Sequence, residues 1–290
     1  MISFKEDHIS QIPALLMLEK FGYTYLTPDE ALALRGGNLA NVLLEPVLRK
    51  QLAAINVVQV SSMRTTVFSE QNITAGIDAL RNIPMDEGFM EASQTVYDLL
   101  TSGKTLEQIV DGDRKSFVMQ YIDWKNPRNN VFHVTEEFAV SRTGMTETYR
   151  PDIVLFVNGI PLCVIECKRP DVKDSIEQAI SQHLRNQKAD GIRSLYLYST
   201  LLLAINRQEG SYATTATPEK FWARWREQFA DREAEARYRQ ELERVVNEPL
   251  LDDKLFGERF GYVRRNFEEL YRQPVTPSVQ DEYLCNLCLT

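Results

Sequence analysis

Apolar positions recur along this chain in two different periods, and the change of period divides it. The first part follows the helical spacing. Residues 7–21 place Ile9, Ile12, Leu15, Leu16 and Leu18 on one face and stop at Gly22. Tyr23 to Leu26 reads as a short strand. Thr27-Pro28-Asp29-Glu30 is a capping box with proline at the first helical position, so a short helix is expected before Gly36-Gly37. Leu43, Leu44, Val47, Leu48, Leu52 and Ile55 predict a longer helix from Asn38, which Pro46 either kinks or truly begins. Ser69 caps a helix that turns Ile73, Ile77, Leu80 and Ile83 inward. Asp86 starts another that runs to Gly103.

Beyond Leu106 the period shortens. Strands are expected over 106–110, 116–124 and 131–140, with Asn126 to Asn130 as a turn. Ile153–Val157 and Ile160–Ile165 flank Asn158-Gly159, a strong hairpin signal. Both strands are apolar on both faces, which requires a covering layer on each side. Asp171 or Asp174 is expected to cap a helix that ends near Gln187. Its buried stripe is Ile176, Ile180 and Leu184, and Gln178, Gln182, Arg185 and Asn186 form a polar one. Residues 195–198 and 202–206 read as two closing strands. A long charged helix is expected from Phe221 to about Val246, with Trp222, Trp225 and Phe229 along one side. The apolar end, Leu284 to Thr290, reads as the unfinished edge of a longer protein.

Composition narrows the class without deciding it. The chain has 290 residues, 43% hydrophobic and 26% charged, as in ordinary globular proteins. No run approaches the length of a membrane span and no signal pattern opens the chain, so a cytoplasmic protein without membrane contact is expected. The net charge of −8 disfavours general adhesion to nucleic acid, leaving a local basic rim of Lys125, Arg128, Arg142, Arg150, Arg169 and Lys173 as the candidate. Cys163 and Cys167 suit small buried positions, and Cys285-x-x-Cys288 lacks a second ligand pair for zinc. His8, His133 and His183 show no metal-ligand spacing.

The chemistry concentrates at the open end of the hairpin. Asp152 precedes its first strand; Glu166 and Lys168 close its second, two residues apart and so on one face. Charges at the ends of buried strands must face a cleft and be paired or bind a cation. A regular two-residue turn would set Asp152 opposite Ile165 and send Glu166 to the other face. A shared site therefore demands a three-residue loop or a bulge near Pro161. Glu45, an acid among apolar neighbours, is either a surface charge or aimed at the same cleft.

Several stretches together carry a resemblance: Val42-Leu43-Leu44-Glu45, Tyr121-Ile122-Asp123-Trp124 with Pro127 and Asn130, Tyr149 to Leu162, Ile165 to Pro170, Ala204-Ile205-Asn206 and Tyr212 to Phe221. From about Glu30 to Trp225 the chain resembles the N-terminal region of type I restriction enzyme R subunits. The resemblance implies a three-layer α/β core of the restriction-endonuclease-like kind, a mixed sheet flanked by helices, with an N-terminal helical cap and a C-terminal helical extension. It implies Mg²⁺-dependent DNA cleavage of the PD-(D/E)xK type, with Asp152, Glu166 and Lys168 catalytic and Asp152, Glu166 and the Cys167 carbonyl holding the metal. Glu45, Gln182, Arg150 and Arg169 are expected to act behind these or to contact DNA. Such subunits carry Gln-x-x-x-Tyr on the next helix, where this chain has Gln182 and Asn186. Residues 1–215 are expected to form the nuclease unit and 216–290 a helical link to an ATP-driven motor. DNA and the modification and specificity subunits are the implied partners. A non-catalytic docking module and a stand-alone nuclease of the same superfamily are the alternatives.

Overall fold

The computed structural model describes residues 10–61, 64–224, 228–249, 254–261 and 275–289. Its centre is a mixed sheet of six strands. In spatial order they are β1 (Thr24–Leu26), β6 (Phe132–Glu136), β9 (Ile153–Val157), β10 (Ile160–Cys167), β11 (Leu201–Ile205) and β12 (Gly210–Ala213). β1 with β6 and β10 with β11 are parallel pairs, and the other three neighbours are antiparallel. Three small two-stranded sheets lie outside: β2 (Val57–Ser61) with β3 (Arg64–Val67), β4 (Lys104–Val110) with β5 (Asp113–Met119), and β7 (Val140–Ser141) with β8 (Thr148–Tyr149).

Strand alternation sorts the core into two layers. Val154, Phe156 and Val164 join a cluster with α3 (Glu45–Ile55), α4 (Glu70–Arg81) and α5 (Phe89–Ser102). Ile153, Leu155, Cys163, Ile165 and Cys167 point the other way, against α1 (Ile12–Lys20), α8 (Arg232–Asn247) and α9 (Val279–Leu289). The short α2 (Pro28–Ala33) follows β1 and begins with the expected capping box at Thr27 and Glu30. α6 (Ser175–Asn186) lies on β10 and β11 with Ile176, Ala179 and Ile180 inward, and α7 (Arg193–Tyr196) follows it. The two cysteines expected at small buried positions, Cys163 and Cys167, are buried and unbridged, and Cys285 is buried as well.

The hairpin reconciles both of its sequence demands. Asn158 and Gly159 form a two-residue turn at φ 53° and 84°, with Val157 opposite Ile160. The pairing then shifts between Pro161 and Cys163, so Leu162 is an extra residue in β10. Ile153 ends opposite Ile165, and Asp152 therefore lies level with Glu166. The Asn158 side chain is fully buried and fully engaged. Its Oδ1 accepts from Val131 N–H at 2.9 Å, and its Nδ2 donates to Tyr121 and Asn130 oxygens at 2.9 and 2.8 Å. A Cβ on Gly159 would meet the Leu44 carbonyl at 2.6 Å, so α3 is docked directly over the turn.

Three local expectations are corrected. α3 starts at Glu45, not Asn38: Pro46 marks the true beginning. Residues 195–198 form the end of α7 and the turn that follows it, not a strand; a short apolar run does not distinguish the two. The helix expected from Phe221 is a 3-10 turn over Glu219–Phe221 and a separate α8 from Arg232. Between them Ala223 pairs with Tyr212 through N–H···O bonds of 2.8 and 3.0 Å, and Trp222 stacks on His183. Trp225 lies outside the described residues. Of Asp171 and Asp174 it is Asp174 that occupies the N-cap of α6, in a left-handed conformation and without the side-chain bond expected of a cap. The hairpin of β2 and β3 had no counterpart in the sequence reading.

Candidate active site

The level pairing of β9 and β10 brings Asp152 and Glu166 to one end of the sheet, on the face covered by α6. Asp152 is anchored through its backbone: its carbonyl accepts from Glu137 N–H at 3.0 Å and Gln11 Nε2 at 2.9 Å. Its Oδ2 accepts from Cys167 N–H at 2.7 Å and lies 3.6 Å from Lys168 Nζ. Lys168 also donates to the Cys167 carbonyl at 2.9 Å. The three residues singled out in the sequence are therefore gathered, and the Cys167 carbonyl lies among them.

Glu166 is the unusual member. It is fully buried, and its Oε2 makes no hydrogen bond among the described residues. Burial first, then the charge of Asp152, pushes its carboxyl well above the ordinary carboxylate range. Asp152 raises it both as a charge and as a neighbouring carboxyl within reach. Lys168 opposes this shift without cancelling it. A buried oxygen without a donor, facing a second acid, needs either a proton or a cation. The oxygen-only donor set of Asp152, Glu166 and the Cys167 carbonyl fits a hard divalent ion such as Mg²⁺.

Glu45 is not brought there. It is the first residue of α3, and the adjoining Leu44 N–H donates to the Gly159 carbonyl at 2.8 Å, which fixes it at the turn end of the hairpin. The strand between turn and Asp152 spans on the order of 17 Å, beyond the reach of a glutamate side chain. Glu45 is instead bound by Arg81 and by Arg49. Arg169 pairs with Asp171, and Arg150 is exposed close to Glu137. Gln182 is half-buried on α6, one turn before Asn186.

Three residues at the site escaped the sequence reading. Glu137 sits at φ 49° beside Asp152, and burial, Asp152 and Glu136 raise its carboxyl. Nothing in the local sequence marks it. His183 and Tyr196 are fully buried behind Glu166. Tyr196 was hidden by the strand expected there, whereas the polar stripe of α6 did signal Asn186, whose Nδ2 approaches Glu166 Oε1 at 3.5 Å.

A mixed sheet between helical layers, with two acids and a lysine at the ends of adjoining central strands, defines the restriction-endonuclease-like class of α/β fold. Sequence comparison narrows the class. The family model described as type I restriction enzyme R protein N terminus matches residues 3–221. A Methanocaldococcus jannaschii protein described as a type I restriction enzyme endonuclease subunit is 27% identical over 228 residues, 76% of this chain and 20% of the relative. The type I restriction enzyme HindI endonuclease subunit of Haemophilus influenzae is 28% identical over 206 residues, 68% of this chain and 18% of the relative. The chain belongs to the type I restriction enzyme R protein N-terminal family. It spans about a fifth of the length of these two relatives.

Proposed function

We propose that the chain is the DNA-cleaving part of a type I restriction-modification R subunit, hydrolysing phosphodiester bonds with Mg²⁺. The observation that carries this reading is the buried Glu166 oxygen without a partner, level with Asp152 and beside Lys168. Asp152, Glu166 and the Cys167 carbonyl would hold the cation. Bound Mg²⁺ supplies a polarised phosphate and a more acidic water. The remaining work belongs to the protein. Cys167 N–H and Lys168 hold Asp152 Oδ2 in place at the end of the strand. Lys168 places a positive charge at the mouth, where charge develops on phosphate oxygens as water attacks. The sheet and α6 exclude solvent from Glu166.

In this reading residues 1–215 carry the chemistry and 216–290 lead toward an ATP-dependent motor, the only user of ATP. DNA and the modification and specificity subunits are the partners, in the cytoplasm. Among the described residues no helix is long and apolar enough to cross a membrane. The test is cleavage of plasmid DNA by the assembled enzyme. Asp152→Ala, Glu166→Ala and Lys168→Ala are each expected to lower cleavage by roughly 10²-fold or more while ATP hydrolysis persists. Undiminished cleavage by any one variant removes that residue from the chemistry. Undiminished cleavage by all three assigns the fold to docking.

A further inference from the structure

Behind Glu166 runs a chain of hydrogen bonds whose direction is fixed by its far end. His183 Nε2 lies 2.9 Å from the Leu203 carbonyl, which can only accept, so Nε2 carries the proton. Burial lowers the ring's pKa to about 4, so the ring is neutral and Nδ1 is an acceptor. The Tyr196 hydroxyl, 2.9 Å from Nδ1, must therefore donate to it. With its proton committed, the Tyr196 oxygen can only accept, and its partner is Asn186 Nδ2 at 3.4 Å. The same amide group faces Glu166 Oε1 at 3.5 Å, so its two hydrogens serve two acceptors. Asn186 Oδ1 is taken by the Arg185 guanidinium at 3.1 and 3.3 Å. A flipped amide would set its oxygen against an acid and against a hydroxyl with no proton to give. Glu166, His183, Asn186 and Tyr196 are all fully buried.

We propose that Asn186 is a positioning residue for the cation site: Tyr196 and His183 hold its amide toward Glu166 Oε1, so that Oε2 is the oxygen offered beside Asp152. This rests on the reading of Asp152 and Glu166 as a cation site. A carboxylate tethered through one oxygen has lost the rotation that would let both oxygens turn away from Asp152. The network does not touch DNA or the cation; it acts through Glu166, as groups behind metal ligands do elsewhere.

The experiment is Mn²⁺ titration of the chain by calorimetry, with thermal unfolding followed in parallel. Asn186→Leu is expected to weaken Mn²⁺ binding by roughly ten-fold or more, and Tyr196→Phe by several-fold, with the latter still unfolding in one cooperative transition. Because Tyr196 acts only through Asn186, Tyr196→Phe is expected to add nothing in the Asn186→Leu background. Wild-type affinity in either single variant overturns the proposal. So does a Tyr196→Phe effect of equal size in both backgrounds. If Asn186→Leu does not fold, Tyr196→Phe alone decides. Glu166→Gln separates the two levels of the argument. Lost binding there with intact binding in Asn186→Leu overturns only the positioning role. Intact binding in Glu166→Gln overturns the cation site itself.

Discussion

At the scale of single residues, Glu166 and His183 pull stability in opposite directions with pH. The Glu166 pKa is raised in the folded state, so its folded form holds a proton more tightly than the unfolded chain does. Its contribution is present at low pH and is lost as pH rises through the folded value. His183 is lowered to about 4, so its contribution is present above the unfolded value and is lost as pH falls toward 4. The comparison of wild type with Glu166→Gln isolates the first effect. In chelator, Glu166→Gln is expected to be the more stable of the two at pH 8 and to lose that advantage near pH 4, by calorimetry. Adding Mg²⁺ at pH 8 is expected to stabilise wild type and leave Glu166→Gln unmoved. An advantage of Glu166→Gln that grows as pH falls refutes the assigned direction. These properties were partly legible beforehand. Asp152, Glu166 and Lys168 stand out because charge ending an apolar strand is costly. Glu137 and Tyr196 do not, because their place depends on which strands and helices meet, and no local pattern records that.

At the scale of elements, the hairpin is fixed twice, at its turn and at Leu162. Gly159→Ala forces a side chain into the left-handed region and against the Leu44 carbonyl at 2.6 Å. It is expected to cost roughly 2–4 kcal/mol, read as a lower midpoint in urea. An unchanged midpoint shows that α3 is not docked there as described. Deleting Leu162 removes the bulge and turns Glu166 toward the apolar layer of α1, with Cys167 taking its place. The deletion is expected to abolish Mn²⁺ binding and to destabilise the fold, seen together by calorimetry and circular dichroism. Retained binding means that another arrangement holds the acids. The hairpin itself was readable because Asn-Gly and two apolar runs act locally. The break before α8 was not, since Trp222 is drawn onto His183 and Ala223 onto Tyr212, partners distant in sequence. The N-terminus of α3 lay between, with Pro46 present as a signal whose meaning was open.

At the scale of the whole molecule, the first and last described segments meet on one face of the sheet. Ser10 and Gln280 are buried together with hydrogen bonds of 2.9 and 2.8 Å, and Tyr283 covers Gly210 on the edge strand β12. Leu284 is fully buried in the same layer as Ile12 and Leu15. The C-terminal helices thus complete the core beneath the acids. Ending the chain at residue 249 is expected to lower the unfolding temperature by about 10 °C or more and to promote aggregation, since it uncovers α1. A truncated chain with native stability assigns α9 a purely connecting role. The overall charge of −8 carries its own expectation. The chain alone is expected to hold duplex DNA no tighter than about 10⁻⁴ M at physiological salt, measured by anisotropy, with partners supplying the grip. The extra residue in β10 reaches beyond this molecule. The two acids sit level only because an odd number of residues separates them. That parity, not the turn's shape, is the quantity relatives must keep. A relative with a three-residue turn must give up the bulge, and gaps between these two positions in an alignment should come in twos.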